Sequence, residues 1–264
     1  MHPTGGSLRV FEQFAWLGVD SVKTALSRPA HQRVTPAVRR AHRLISRQGE
    51  TKTLSLSSSN INLLIREMRT MSDHQLPSPD QIRDFVIAGH GNLQKTQAML
   101  SEYPTLLNVA YQWKENDLET AIQGAAHVGN AVIAGFLLAQ GAPLEICTAA
   151  MLGQIKDVEQ LLQEDPDLIH TTGAHGIPLL THAALSGNIA LIQLLVQQGA
   201  HTGFSAALHN AVSKGHEAMV RWCLENGQPD LGWQNFEGQT ALTVAKQRES
   251  ETIIQLLQAW GATE

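Results

Sequence analysis

Residues 176–200 read Gly-Ile-Pro-Leu-Leu-Thr-His-Ala-Ala-Leu-Ser-Gly-Asn-Ile-Ala-Leu-Ile-Gln-Leu-Leu-Val-Gln-Gln-Gly-Ala, and this stretch decides the fold. Two helices can approach closely at Ala183 and Ala184, because nothing larger than a methyl group lies between them. Gly187 allows a turn with positive φ, and Gly199 ends the helix that follows. Between the two glycines, apolar residues recur at helical spacing: Ile189, Ile192, Leu195 and Val196. The stretch therefore predicts two short helices joined by a tight turn.

The same block of two small residues, two variable residues and a glycine recurs from about residue 80 onward. Its turn positions are Gly91, Gly129, Gly153, Gly187 and Gly215, and a sixth copy has Glu249 in the glycine position. One helix pair cannot bury its own apolar face, so the copies are expected to stack into a solenoid. The polar run at 246–251 and the charged segment at 79–84 are typical of the capping units that end such a stack.

This pattern resembles the ankyrin repeat over residues 80–262, about 70% of the chain. The segments 176–184, 206–211 and 238–245 are most similar to the inner-helix motif T-P-L-H-x-A of that family, although no copy has the complete tetrapeptide. The resemblance implies an all-α repeat solenoid of helix-turn-helix repeats with short β-hairpin fingers. About six repeats are expected, including the two caps.

The spacing of the turn positions departs from the family period of about 33 residues. Successive turns are 38, 24, 34, 28 and 34 residues apart. The long interval predicts an enlarged first finger at residues 108–119. The two short intervals predict that the finger is cut back after Gly141 and again after Gly199.

Charge divides the chain into two parts, with a predicted boundary after residue 76. Residues 1–76 carry eleven Lys and Arg against five Asp and Glu, a net +6, whereas residues 77–264 carry eight against nineteen, a net −11. The acidic part argues against a nucleic-acid or anionic-membrane partner, which requires clustered cations. Residues 1–76 are interpreted as a basic, disordered extension. A transit peptide and a translation start at Met71 are the alternatives.

Candidate chemical residues are numerous but fit no familiar catalytic or metal-binding pattern. Of the twelve histidines, the trio His170, His175 and His182 is the best metal candidate, yet its spacing matches no zinc motif. Cys147 and Cys223 occupy apolar positions and are expected to be buried and inert. The acidic run at 164–167 lacks the geometry of a calcium loop. We therefore expect no catalytic residue, no metal and no cofactor.

The remaining candidate is a binding surface. In ankyrin-like stacks, the fingers and the inner helices line a concave groove where partners usually bind, and only thirteen aromatic residues occur in this chain. Aromatic side chains are favoured anchors at interfaces. By position in the repeat, the predicted partner-binding residues are Tyr111, Trp113, Lys114, His127, Met151, His175, His182, Leu185, Phe204, Asn210, Lys214, Trp233 and Phe236.

The sequence therefore predicts a non-catalytic protein–protein interaction module, a cytoplasmic monomer that binds a protein partner through the groove. Two alternatives belong to other classes. In one, the repeats target or regulate, and the basic N-terminal arm contacts an anionic partner. In the other, the chain is a histidine-assisted, metal-dependent enzyme on a repeat scaffold.

Overall fold

A computed structural model of the chain describes residues 77–263. The predicted boundary after residue 76, the disordered extension and its two alternatives lie outside the described residues. The segment from 77 onward is the part predicted to hold the repeats.

Each repeat consists of an inner helix, a turn and an outer helix. The inner helices are α1 (Pro79–Gly91), α3 (Ala121–Val128), α5 (Ile146–Met151), α7 (Leu179–Ser186), α9 (Phe204–Lys214) and α11 (Ala241–Gln247). The outer helices are α2 (Leu93–Glu102), α4 (Ala131–Gln140), α6 (Ile155–Glu164), α8 (Ile189–Gln197), α10 (Glu217–Gly227) and α12 (Glu251–Ala259). Short 3₁₀ turns lie at Pro104–Asn108, Pro166–His170 and Ala174–Gly176. The predicted helical solenoid of about six repeats is confirmed.

The inner helices pack against one another in chain order, and each outer helix packs on its own inner helix. The paired alanines predicted at the helix contacts are buried, as at Ala149, Ala150, Ala183 and Ala184. Methyl side chains let successive inner helices approach closely. The outer helices pack on these inner helices through Leu and Ile side chains. Within residues 77–263, no helix is both long enough and apolar enough to cross a membrane.

The turns follow the predicted positive-φ geometry in five copies. Gly129, Gly153, Gly187 and Gly215 have φ between 68° and 73°, and Glu249 adopts φ 53° in the last copy. The first copy is different, because Gly91 is the last residue of α1 and is not among the residues with positive φ. There the chain turns at the following asparagine, whose φ is −119°.

The fingers are as unequal as the spacing predicts. The enlarged first finger is an antiparallel hairpin of β1 (Tyr111–Lys114) and β2 (Asp117–Glu119), in which Tyr111 lies opposite Glu119. The segments 141–145 and 198–203 connect an outer helix to the next inner helix without a strand. Both predicted cut-backs are confirmed.

Loss of the finger between α4 and α5 brings two distant fingers together. The backbone N–H of His175, in the 171–178 loop before α7, donates to Asp117 Oδ1 of the first hairpin at 3.1 Å. These residues are 58 positions apart. The two fingers thus meet across the position that the missing finger would occupy.

Enlarging a buried alanine tests the packing of the inner helices. Ala184→Leu should destabilise the protein by about 1–3 kcal/mol, because the fully buried methyl group has no room to grow. Ala139→Leu, on the exposed side of α4, is the control and should change stability by less than about 0.5 kcal/mol. Urea unfolding measures both variants. Equal stability of the two would mean that the contact faces of the helices are assigned incorrectly.

Candidate functional site: a buried carboxylate among histidines

The site is built around Glu119, which ends the first hairpin and is fully buried. Side chains alternate along β2, so Asp117 and Glu119 point inward while Leu118 is exposed. The next residue, Thr120, caps helix α3, and its hydroxyl accepts the backbone N–H of Gln123. This capping box fixes the end of the hairpin against the inner helices.

Three imidazoles surround one oxygen of this carboxylate. Glu119 Oε1 lies 3.1 Å from His127 Nε2, 3.3 Å from His90 Nε2 and 3.5 Å from His175 Nε2. His90 and His127 come from the C-terminal ends of α1 and α3, whereas His175 comes from the loop before α7. Three separate segments therefore converge on the hairpin.

The other oxygen of Glu119 has a partner of its own. Trp113 Nε1 donates to Glu119 Oε2 at 2.7 Å, across the hairpin. Tyr111 packs edge-on against Trp113, with ring centroids 4.9 Å apart. The carboxylate is thus held on one side by the indole and presents Oε1 to the three histidines.

Hydrogen bonds at the far side of two rings fix their orientation. His90 Nδ1 lies 2.9 Å from the carbonyl oxygen of Val86, and His175 Nδ1 lies 3.0 Å from Asp117 Oδ2. A carbonyl or a carboxylate oxygen can only accept a hydrogen bond, so both Nδ1 atoms carry hydrogen. In the neutral form of each ring, Nε2 is then a free lone pair that faces Glu119.

The charge state of the site follows from these contacts. Burial alone would raise the pKa of Glu119, but the imidazoles of His127 and His90 outweigh it and lower this pKa to about 2. Burial would lower the pKa of His90, yet its interaction with Glu119 raises it overall. The hydrogen bond from His175 lowers the pKa of Asp117. Both carboxylates are therefore ionised at neutral pH.

Three of these residues are close enough to share a metal ion. Within the described part of the chain, His90, Glu119 and His127 form the group of three ligands whose donor atoms all lie within 4.8 Å of one another. The trio His170, His175 and His182 is not brought together in this way. The histidines that the structure brings together are therefore mostly different from the trio that the sequence suggested as the best metal candidate.

The structure brings together three of the predicted binding residues and adds three others. Trp113, His127 and His175 belong to this cluster. Trp113 and His127 are half-buried, whereas His175 is exposed. The residues that the sequence analysis missed are His90, Asp117 and Glu119. The alternating Asp-Leu-Glu at the end of the enlarged finger is the signal that could have indicated two inward carboxylates.

Other predicted binding residues lie inside the stack or are already bonded within it. Met151, His182 and Leu185 are buried, so they pack the core and do not form exposed surface. Asn210 donates to the carbonyl oxygen of Thr181 at 3.3 Å. The remaining buried or engaged members are Phe204, stacked on Trp222, and Lys214, whose ammonium donates to the carbonyl oxygens of Val128 and Gly129.

The most exposed of the predicted residues lie at the two ends of the finger row. Lys114 extends from the first hairpin with 76% of its side chain exposed. Trp233 and Phe236 lie in the loop before α11, where Phe236 is 96% exposed. These residues are available to a partner, whereas the side chains of the cluster contact one another.

The two thiols are structural, as predicted. Cys147 and Cys223 are both buried and free, and burial raises the pKa of each to about 12. A thiol with such a pKa forms almost no thiolate near neutrality and is a poor nucleophile.

His182 provides a pH-dependent test of the buried interior. Its ring packs against Gly173, and burial lowers its pKa from the ordinary 6.5 to about 4, with His127 as the titratable group that also acts on it. As the pH falls, His182 therefore takes up a proton in the unfolded chain before it does so in the folded protein. The contribution of neutral His182 to the free energy of unfolding is fully present above pH 6.5. It is lost as the pH falls toward 4, by about 3 kcal/mol in total.

Urea unfolding of the wild type and of His182→Asn at several pH values between 7 and 4 measures this loss. Asparagine keeps a donor for the carbonyl oxygen of Pro178, 3.2 Å from His182 Nδ1, and cannot titrate. The stability advantage of the wild type over the variant should shrink as the pH falls. Parallel curves for the two proteins would show that His182 binds a proton as readily in the folded protein as in the unfolded chain.

Comparison with known proteins agrees with the geometry of the stack. A family model described as "Ankyrin repeats (3 copies)" matches residues 146–228 and 180–263. The chain is also similar to the "I-Kappa-B like protein F1" of Microplitis demolitor bracovirus (isolate Webb). The two are 26% identical over 128 residues, which cover 45% of this chain and 77% of that protein.

Proposed function

We propose that this chain, which is an ankyrin repeat protein, binds a protein partner through the face formed by its fingers and inner helices. Ankyrin repeats are generally protein–protein interaction modules, and their function resides in particular surface residues of the scaffold. We call this surface the concave face.

The observation that carries the proposal is the exposure of Phe236. Its side chain is 96% exposed, although burying a phenylalanine is worth about 1.5–3 kcal/mol. The turn that carries it is well defined, because Asn235 Oδ1 accepts the backbone N–H groups of Glu237 and Gln239. An aromatic ring presented on an ordered turn is suited to insert into a pocket of a partner.

Trp233 extends this apolar patch along the concave face. Its ring lies edge-on to His209 of the inner helix α9, with centroids 5.5 Å apart. His209 is buried, and burial lowers its pKa, so a neutral imidazole supports the indole. Trp233 and Phe236 together form what we call the aromatic finger, which is the proposed anchor for the partner.

The neighbouring surface favours contacts that do not depend on charge. Residues 171–213 contain no Asp, Glu, Lys or Arg. A partner that docks on a neutral surface through aromatic anchors should bind with little dependence on ionic strength. The alternative in which the basic segment 1–76 contacts an anionic partner predicts the opposite, a steep loss of binding with salt.

We also propose that the chain is not an enzyme and acts as a monomer in a reducing compartment such as the cytoplasm. Two observations support the first and the last of these points. The buried thiols are too weakly acidic to act as nucleophiles, and they are not paired in a disulfide.

The experiment compares the partners that are captured by the immobilised full-length chain and by variants of the aromatic finger. Phe236→Ser together with Trp233→Ala should lose the partners that the wild type retains, while the melting temperature changes by only a few degrees. Trp260→Ala, an exposed aromatic residue at the end of α12, is the matched control and should retain them.

The outcomes separate the alternatives. Capture that survives the finger substitutions but is lost at high ionic strength would favour the basic segment. Capture that survives both would place the binding surface on the outer helices. Capture that is lost only in the finger variant supports the concave face.

A further inference from the structure

We propose that His90, Glu119 and His127 bind a zinc ion. The site joins α1, the first hairpin and α3, and His175 of the loop before α7 lies beside it. The zinc site does not depend on the partner proposed above. Its function is to hold the first hairpin against the C-terminal ends of α1 and α3.

The separations around Glu119 Oε1 are those of neighbouring ligand atoms in a tetrahedral site. Zinc binds imidazole nitrogen and carboxylate oxygen at about 2.0–2.2 Å, so two ligand atoms at tetrahedral angles lie about 3.4 Å apart. The two histidine ligand atoms lie 3.1 and 3.3 Å from Oε1. Direct N–H to oxygen hydrogen bonds span about 2.7–3.2 Å, so the shorter separation fits either arrangement and the longer one fits a shared ion better.

Two buried ligand atoms of the site lack a hydrogen-bond partner. Within residues 77–263, neither Glu119 Oε1 nor His127 Nε2 has a hydrogen-bond partner, although the two atoms are 3.1 Å apart and buried. Buried polar atoms are almost always hydrogen-bonded. An ion bound by both atoms would give each of them the partner that it lacks.

The outer contacts of the site are those of metal-binding histidines. A metal-ligating histidine almost always donates its other ring N–H to a carboxylate or a backbone carbonyl. His90 donates its Nδ1–H to the carbonyl oxygen of Val86 in this way, which leaves its Nε2 as the ligand atom. His175, beside the site, donates to Asp117 and so fixes the loop before α7 against the hairpin. Trp113 similarly holds Glu119 Oε2, so Oε1 is the oxygen available to the ion.

Charge also supports a cation at this site. Asp117 already has the Lys114 ammonium 3.8 Å away, whereas Glu119 is a fully buried carboxylate with no Lys or Arg paired to it in the described part of the chain. An isolated buried charge is costly, and a bound cation would compensate it. Imidazole nitrogen together with one carboxylate oxygen is a ligand set that zinc accepts readily.

The surrounding sequence makes room for the ligands. Gly124 lies inside helix α3, where glycine costs about 1 kcal/mol relative to alanine. A Cβ atom at this position would lie 2.7 Å from the ring of His90. The absent finger between α4 and α5 likewise lets His175 reach the first hairpin. Both local features leave space for a histidine to lie close to Glu119.

The test uses the full-length chain without a histidine tag, stripped of metal with a chelator and titrated with Zn²⁺ by calorimetry. The wild type should bind one Zn²⁺ per chain more tightly than Glu119→Gln by at least about tenfold. Glutamine keeps an acceptor for Trp113 and leaves all twelve histidines in place, so adventitious histidine binding is the same in both proteins. His175→Asn should weaken binding less than His127→Asn.

Two further measurements keep the test decisive if a variant folds poorly. Co²⁺ added to the wild type should give the intense visible bands of four-coordinate cobalt, and Zn²⁺ should raise the melting temperature. His170→Asn, an exposed histidine outside the cluster, is the matched control and should behave like the wild type. Equal Zn²⁺ affinity of the wild type and Glu119→Gln, or the absence of a four-coordinate cobalt spectrum, would overturn the proposal and leave a charge cluster of histidines around one carboxylate.

Discussion

The N-terminal half of the stack depends on the burial of one carboxylate, Glu119. An ionised carboxylate removed from water needs compensation from charges or hydrogen bonds, and a single residue rarely supplies it. Here the compensation comes from an indole on the same hairpin and from three imidazoles on other segments. Because these groups must lie close to the buried carboxylate, the positions of the hairpin, two inner helices and a distant loop are tied to Glu119.

An irregularity of the repeats creates this arrangement. In a regular stack, each finger contacts its immediate neighbours, and the fingers before α3 and α7 would be separated by the one before α5. Because residues 141–145 pass directly from α4 to α5, Asp117 and His175 meet. The 24-residue interval between Gly129 and Gly153 is thus the sequence feature from which the cluster arises.

Sequence reasoning predicted the repeats well, because their features are local. Paired alanines, turn glycines and helical spacing each report on a few adjacent residues, and they located the helix pairs, the enlarged finger and both cut-backs. The histidine cluster could not be found in this way, since its members are contributed by positions 90, 119, 127 and 175. Their proximity depends on which fingers touch. Periodicity also placed His182 on the groove, whereas the tight inner-helix contacts bury it almost completely.

The hydrogen bonds of the Lys214 ammonium affect the cooperativity with which the protein unfolds. It donates to the carbonyl oxygens of Val128 and Gly129, more than 80 residues earlier in the chain. Repeat proteins are usually described by nearest-neighbour terms, so that their ends fray independently. Bonds that skip intervening repeats add sequence-distant contacts, which slow folding and couple remote units. In this molecule, unfolding of α9 would break hydrogen bonds at the end of α3. Distant repeats are therefore expected to unfold together and not one at a time.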